Sequence, residues 1–388
     1  MTKMISLRDV EISDKKVLIR QDLNVPIKDG FIESEARIKA CLPTIEYAVA
    51  RGAKVILMSH LGRPKEGVSI EDQKEFSLRP VAKRLAELTS LKVRLESNYL
   101  NGCNFHNEDI LLLENVRINT GETNNDERLA RKLAALCDIF VMDAFATAHR
   151  AHASTQGVAK YSPMACAGPL LLKELRALDK VFSSPKRPVL AIVGGSKVST
   201  KLQILTSLSQ KVDLMIVGGG IANTFLAAAG KQVGNSLYES KMIDIAKKII
   251  DYGRIILPTD VVVSSKIDEA AEWKVKEVGA VSPEDRILDI GPLSISRNRE
   301  LVSDAKTIVW NGPLGVFEIP QFSAGTRELG KSIKDSDAFS VAGGGDTIAA
   351  IEMSGVIDGI SYISTGGGAF LEVLEGKTLP GVSALLEK

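Results

Sequence analysis

Apolar positions fall into short blocks along the first half of the chain: VLIR (17–20), KVILM (54–58), DILLL (109–113) and IFVM (139–142). Blocks of this length are consistent with buried strands. Helical patterns stand between them, as in 35–50, where Ile38, Leu42, Ile45 and Val49 recur at helical spacing. Strands alternating with helices predict a parallel sheet. Residues 169–182, PLLLKELRALDKVF, place Leu171, Leu175, Leu178 and Phe182 on one stripe of an amphipathic helix. SSPKRP then interrupts the pattern before a second series opens at Val189. The helix reads equally as a connector between two lobes or as one more crossover.

In the second half, five apolar runs end directly in glycine: IVGGSK, IVGGGIAN, IVWNGPLG, SVAGGGDT and YISTGGGA. Each reads as a strand entering a bare backbone loop. Glycine reaches positive φ and lacks a Cβ, so backbone N–H groups there are free to face a phosphate. A set of five implies a phosphate site on one sheet.

Length and composition narrow the picture. A chain of 388 residues with 45% hydrophobic content is too long for one ordinary core and rich enough in apolar residues for two. With 49 basic and 48 acidic residues, the net charge of +1 argues against a general nucleic-acid or membrane-surface binder. Cys41, Cys103, Cys137 and Cys166 are too scattered for a zinc pattern and read as reduced thiols of a cytoplasmic protein. The N-terminus has no apolar signal region, and the longest apolar stretch, LMIVGGGIANTFLAAAG, is too interrupted to span a bilayer.

Ligands of open parallel sheets sit beyond the carboxyl ends of the strands. There the first half places Asp22 and Asn24, His60 and Arg63, Arg117, and His149, Arg150 and His152. Arginine forks and imidazoles converging on one sheet edge predict a site for a small polyanion. Arg37 adds to this. With Ser34 as N-cap it falls at the third helical position, where a cation opposes the helix dipole unless an anion binds. In the second half, Lys197 and Lys201 are four apart and so lie on one flank of the first turns of a helix whose apolar stripe is Val198, Leu202, Leu205 and Leu208. Two cations at a helix N-terminus predict phosphate contact. In GGGDT, Asp346 reads either as an N-cap or as a ligand for Mg²⁺, and Thr347 as bonding phosphate or backbone.

No GxxxxGK[ST] motif is present, and GGGIAN has Asn223 where a dinucleotide fingerprint needs its third glycine. Taken in order, DLNVP, SHLGRP (59–64), LLENVR (112–117), AHRAHAST (148–155), GGSKVSTK (194–201), WNGPLGVFE (310–318), GGGDT (343–347) and LEGKTLPGVSAL closely resemble phosphoglycerate kinase over essentially the whole chain.

The resemblance implies an α/β fold of two Rossmann-like parallel-sheet domains separated by a cleft. The expected division is a triose-binding domain over 1–168 with 370–388 packing back onto it, a connector over 169–188 and a nucleotide-binding domain over 189–369. It implies binding of 3-phosphoglycerate or 1,3-bisphosphoglycerate by Asp22, Leu23, Asn24, Arg37, His60, Leu61, Gly62, Arg63, Arg117 and Arg150. It implies ADP or ATP binding by Lys197, Lys201, Gly219, Gly220, Glu318, Gly344, Gly345, Asp346 and Thr347, with Glu318 on the ribose, the glycine pair flanking adenine and Asp346 holding Mg²⁺. Ala146 and Leu23 depart from the commoner glycine and phenylalanine.

The expected chemistry is direct in-line phosphoryl transfer after domain closure, with Arg37, Lys197 and Lys201 stabilising the transferring group. The expected state is a cytoplasmic monomer. A non-catalytic anion-binding protein and a nicotinamide-dependent oxidoreductase are the competing expectations.

Overall fold

The computed structural model describes residues 4–386. The chain forms two compact units, one of residues up to Leu175 with those from Thr378 onward, the other of Arg176–Lys377. The division falls inside the helix Pro169–Phe182. The helix Gly368–Leu374 stands with the second unit, whereas Pro380–Leu386 stands with the first. There the Gly381 N–H donates to the Ala148 carbonyl at 2.8 Å, and Val382, Ala384 and Leu385 are buried.

The sheet of the first unit has six strands, in spatial order Val93–Glu96, Ile110–Leu113, Lys54–Met58, Lys16–Arg20, Ile139–Met142 and Met164–Ala167. Every neighbouring pair is parallel. The four strands expected from apolar runs are the four interior ones. Both faces of an interior parallel strand are covered, which is why these segments are apolar without alternation. The strands Val93–Glu96 and Met164–Ala167, which the pattern did not reveal, are the two edges. Lys16–Arg20, first in the chain, lies between Lys54–Met58 and Ile139–Met142, so winding reverses there, as at the ligand-bearing point of open α/β sheets.

The second unit repeats this plan. Its parallel sheet runs Ile255–Ile256, Leu214–Val217, Val189–Val193, Thr307–Asn311, Phe339–Gly343 and Tyr362–Ser364. All five glycine-terminated runs are therefore adjacent strands of one sheet, and winding reverses between Val189–Val193 and Thr307–Asn311. A separate antiparallel sheet of Trp273–Glu277, Asp260–Ser264 and Arg286–Ile290 packs within this unit. Its pairing slips between Val262 and Val263, opposite Asp289 and Ile287. A bulge of this kind re-aims side chains, here in the segment that carries Leu288.

Among the described residues no helix is long and apolar enough to cross a membrane, and Cys41, Cys103, Cys137 and Cys166 are buried and unpaired. Burial pushes the Cys137 and Cys166 thiols up to about 12.

Ile192 is fully buried on the central strand of the second unit. Ile192→Ala should destabilise that unit by about 2–5 kcal/mol, read as a lower urea midpoint for its transition with the first unit's transition unmoved.

Candidate functional site

At the winding reversal of the first sheet, residues after three neighbouring strands lock together. Asp22 accepts from the Asn24 N–H at 3.3 Å and forms an ion pair with Arg37 at 3.0 Å. Arg37 also donates to the Asn24 carbonyl at 2.9 Å. The Asn24 side chain accepts from the Gly62 N–H at 2.8 Å, and the Gly62 carbonyl accepts from Arg117 at 2.7 Å. Three loops and one helix are thus tied into a single rim.

Leu23 and Leu61 contribute backbone to this rim, since their side chains are in the core. The Leu23 N–H is held by Ser59 Oγ at 2.9 Å and the Leu61 carbonyl by Asn115 at 2.7 Å. Ser34 is not the N-cap of the helix Ala36–Ala50; that position is Glu35, and its side chain makes no capping bond. Arg37 therefore sits at the second helical position, and the Asp22 carboxylate supplies the anion that its place at a helix N-terminus demands.

The cations of this unit repel one another. Desolvation, then Arg150 and Arg20, lower Arg117 to about 10. Desolvation lowers Arg150 as well, with Arg63 and Arg37 adding to it against Asp22. Arg117 Nε and Arg150 Nη1 are buried without a hydrogen-bond partner. Buried guanidinium donors left unpaired are costly, and a bound oxyanion would satisfy both. Arg63 is exposed at the edge of the cluster.

Two further residues belong to this site and were not singled out from the sequence. Arg20, the last residue of the strand Lys16–Arg20, is 1% exposed and approaches His60 Nδ1 at 3.2 Å. Glu122 is fully buried and accepts from the Ser154 hydroxyl and, at 3.0 Å, from its N–H. A charge closing an apolar run was the signal for Arg20; Glu122 sits in a polar turn and had none.

The second unit has a different chemistry at the corresponding place. Lys201 Nζ donates to the carbonyls of Gly194 at 2.7 Å and Asn311 at 3.1 Å, which follow and end the two strands where winding reverses. Desolvation lowers this ammonium to about 8, opposed by the charge of Asp346. Lys197, the N-cap of the helix Val198–Lys211, is exposed. The lysines are therefore not a matched pair on one flank: one is turned into the sheet and one faces solvent. Glu239 accepts from the Ser199 N–H at 2.8 Å, so a carboxylate already occupies part of that helix N-terminus.

The glycine loops serve one another as much as a ligand. A Cβ on Gly194 would lie 1.7 Å from the Pro313 carbonyl oxygen, and one on Gly220 would lie 2.2 Å from that of Ser196. Gly345, by contrast, has nothing within 4 Å. Beside these loops lies a cavity of about 320 Å³, within the usual range for small-molecule sites. Gly195, Gly219, Gly220, Glu318 and Asp346 line it with Leu237, Ile287, Leu288 and Val316.

Gly344 is the N-cap of the helix Gly345–Met353, without a side-chain capping bond, so Asp346 is not an N-cap. It is an exposed carboxylate in the first turn. Thr347 is buried with its hydroxyl committed, accepting from the Gly312 N–H at 2.8 Å and donating to the Gly343 carbonyl at 2.9 Å. Among the described residues there is no group of three or more His, Cys, Asp or Glu suited to a metal. A single carboxylate beside open glycine-loop backbone suits Mg²⁺, which typically completes its ligands with phosphate oxygens and water.

Comparison with known proteins identifies the family of the chain. A family profile for phosphoglycerate kinase matches residues 7–377. The structure is similar to that of phosphoglycerate kinase from Coxiella burnetii, with 48% identity, 99% of each chain covered and a TM-score of 0.96. It is also similar to phosphoglycerate kinase from Pyrococcus horikoshii OT3, with 35% identity, 98% of each chain covered and a TM-score of 0.79.

Desolvation, with Arg117, Arg150 and Arg20 close by, lowers His152 to about 4. The folded chain then binds fewer protons than the unfolded chain between about pH 4 and 6.5, so this contribution to stability is lost as pH falls through that window. Urea midpoints at pH 7 and pH 5 should show His152→Gln losing about 2 kcal/mol less on acidification than the unsubstituted protein.

Proposed function

Because the chain belongs to the phosphoglycerate kinase family, we propose that its two clusters of strand-end residues divide one phosphoryl transfer between them, the arginine rim holding the triose and the glycine loops holding the nucleotide. The reaction itself follows from family membership: reversible transfer of the acyl phosphate of 1,3-bisphosphoglycerate to ADP, giving 3-phosphoglycerate and ATP. Membership also sets aside the non-catalytic binder and the nicotinamide-dependent oxidoreductase.

The observation that carries the division is the contrast between the two linings. The first unit offers guanidinium donors without partners, Arg117 Nε and Arg150 Nη1, which suit the phosphate and carboxylate of a triose acid. Asp22 and Asn24 orient Arg37 and the Gly62 loop, and His60 and Arg63 complete the rim. The second unit offers a mostly apolar cavity with a carboxylate at its mouth. Adenine fits against Gly219, Gly220 and Leu288, and Glu318 accepts from ribose hydroxyls.

Lys201 and the first N–H groups of the helix Gly345–Met353, which lack intrahelical partners, face the phosphates, with Gly344 and Gly345 leaving the approach open and Lys197 at its outer edge. Thr347 positions the loop through its committed hydroxyl. Asp346 holds Mg²⁺, which when bound neutralises charge on the phosphate oxygens.

The acceptor in the ATP-consuming direction is a carboxylate, ionised at neutral pH, so no general base is needed. Neither His60 nor His152, both held below their ordinary range first by desolvation and then by neighbouring arginines, is required to move a proton. What remains for the protein is to align the reactants and place cations around the equatorial oxygens. Lys201, Lys197 and Arg37 serve that purpose. In-line transfer brings the acyl and nucleotide oxygens to one phosphorus, so we assign productive turnover to a closed state in the cytoplasm.

Steady ATP formation from ADP and 1,3-bisphosphoglycerate tests this reading. Lys201→Met should lower kcat by roughly 10²–10³-fold while the affinity for 3-phosphoglycerate, measured by calorimetry, stays within about twofold. Undiminished turnover in Lys201→Met would remove the lysine from the mechanism.

A further inference from the structure

Beneath the arginine rim runs a buried chain of hydrogen bonds whose direction is fixed by what each group is able to donate. Glu122, fully buried, accepts from Ser154 through both carboxylate oxygens. Ser154 Oγ in turn accepts from Arg20 Nε at 3.2 Å. Arg20 Nη1 donates to the Gln21 carbonyl at 2.5 Å, and Nη2 lies 3.2 Å from His60 Nδ1. A guanidinium has five donors, no acceptor and no accessible neutral form. The His60 nitrogen that faces Arg20 must therefore be the unprotonated one. Turning the ring over would put a carbon at that place, which cannot accept.

We infer that Arg20, held in place by Ser154 and Glu122, is a positioning residue that fixes His60 as a neutral imidazole carrying its proton on Nε2, so that His60 serves substrate only as a hydrogen-bond donor. His60 Nε2 has no hydrogen-bond partner among the described residues, so its N–H is available to an incoming oxygen. The assignment excludes two other roles. His60 is not a base for a substrate hydroxyl, because its one free lone pair is spent on Arg20. Nor is it a sixth cation beside Arg20, Arg37, Arg63, Arg117 and Arg150.

The surroundings act in the same direction. Desolvation holds the His60 imidazole well below its ordinary range, and Arg20, Arg117, Arg150 and Arg37 add to that. The carboxylates nearest this network are Glu122, which bonds Ser154, and Asp22, which pairs with Arg37. His152, beside Glu122 at 3.8 Å, is itself held down to about 4. Both imidazoles are thus held toward their neutral forms, while burial raises the Glu122 carboxyl. A phosphorylated three-carbon acid would then meet a fixed number of cations and one fixed neutral donor.

The inference rests on the triose reading of this unit for its substrate, but the tautomer is observable without any substrate. Nitrogen-15 NMR of the full chain labelled at histidine, with His60 assigned by loss of its signals in His60→Gln, should show the Nε2–H tautomer unchanged from pH 8 to 5.5. A protonated Nδ1, or a doubly protonated ring at pH 6, would overturn it. Arg20→Lys, still donor-only, should keep the tautomer. Arg20→Gln, which is able to accept as well as donate, should populate Nδ1–H, and an unaltered spectrum there would remove Arg20 from the role. Adding 3-phosphoglycerate should shift the Nε2 resonance. A correct tautomer that ignores the ligand would leave the hydrogen-bond chain standing and refute the triose assignment of His60.

Discussion

Arg20 ends the first strand of one sheet and Lys201 reaches the end of the first strand of the other, and both hold positive charge largely out of water. A buried cation is tolerated only where carbonyls, carboxylates or an incoming anion replace its hydration. Lys201 is given two carbonyls, those of Gly194 and Asn311, and even so its ammonium falls to about 8 through desolvation. That shift corresponds to roughly 3 kcal/mol against the charged form. Arg20 is given two carbonyls and a serine backed by Glu122. Each sheet thus keeps at its winding reversal a charge that a polyanionic ligand would stabilise further.

Much of the surrounding architecture follows from that constraint. Lysine carbons reach the strand ends only because no side chain stands between: a Cβ on Gly312 would lie 2.8 Å from Lys201 Nζ. The loops then pack backbone to backbone, and Gly194 and Gly220 are explained by carbonyl oxygens of neighbouring loops before any ligand is considered. In the first unit carboxylates take the part that glycine takes in the second. Asp22 and Glu122 hold arginines in place without neutralising the cluster, which leaves Arg150 Nη1 and Arg117 Nε unpaired.

The interior strands were legible in the sequence because burial on both faces leaves no room for polar residues. Three of the four edge strands were not, whereas Tyr362–Ser364 was marked by the glycines that follow it. Val93–Glu96 carries Arg94, paired to Glu96 and Glu108 on its open side, and Ile255–Ile256 is two residues long. Most strand-end arginines and lysines were legible because charges gathered a few residues beyond apolar runs have few structural explanations, though Arg20, which closes such a run, was passed over. What lay beyond reach was pairing over long separations. Nothing near Arg37 announces that Asp22 will take its charge, nothing near Ser199 announces Glu239, and Glu122 lies 102 positions from Arg20, the arginine it supports through Ser154. The glycines were read correctly as loops and only partly as to purpose, since loop-to-loop packing leaves the same residue as ligand access does.

If unpaired, mutually repelling guanidinium groups are held ready for an anion, then removing one should relieve the free protein while disabling it. The direct measurement is the thermal midpoint of Arg150→Met with and without 3-phosphoglycerate. The account predicts a midpoint equal to or above that of the unsubstituted protein when no ligand is present, together with loss of most of the upward shift that 3-phosphoglycerate produces. A midpoint several degrees lower in the free protein, with the ligand-induced shift retained, would contradict it.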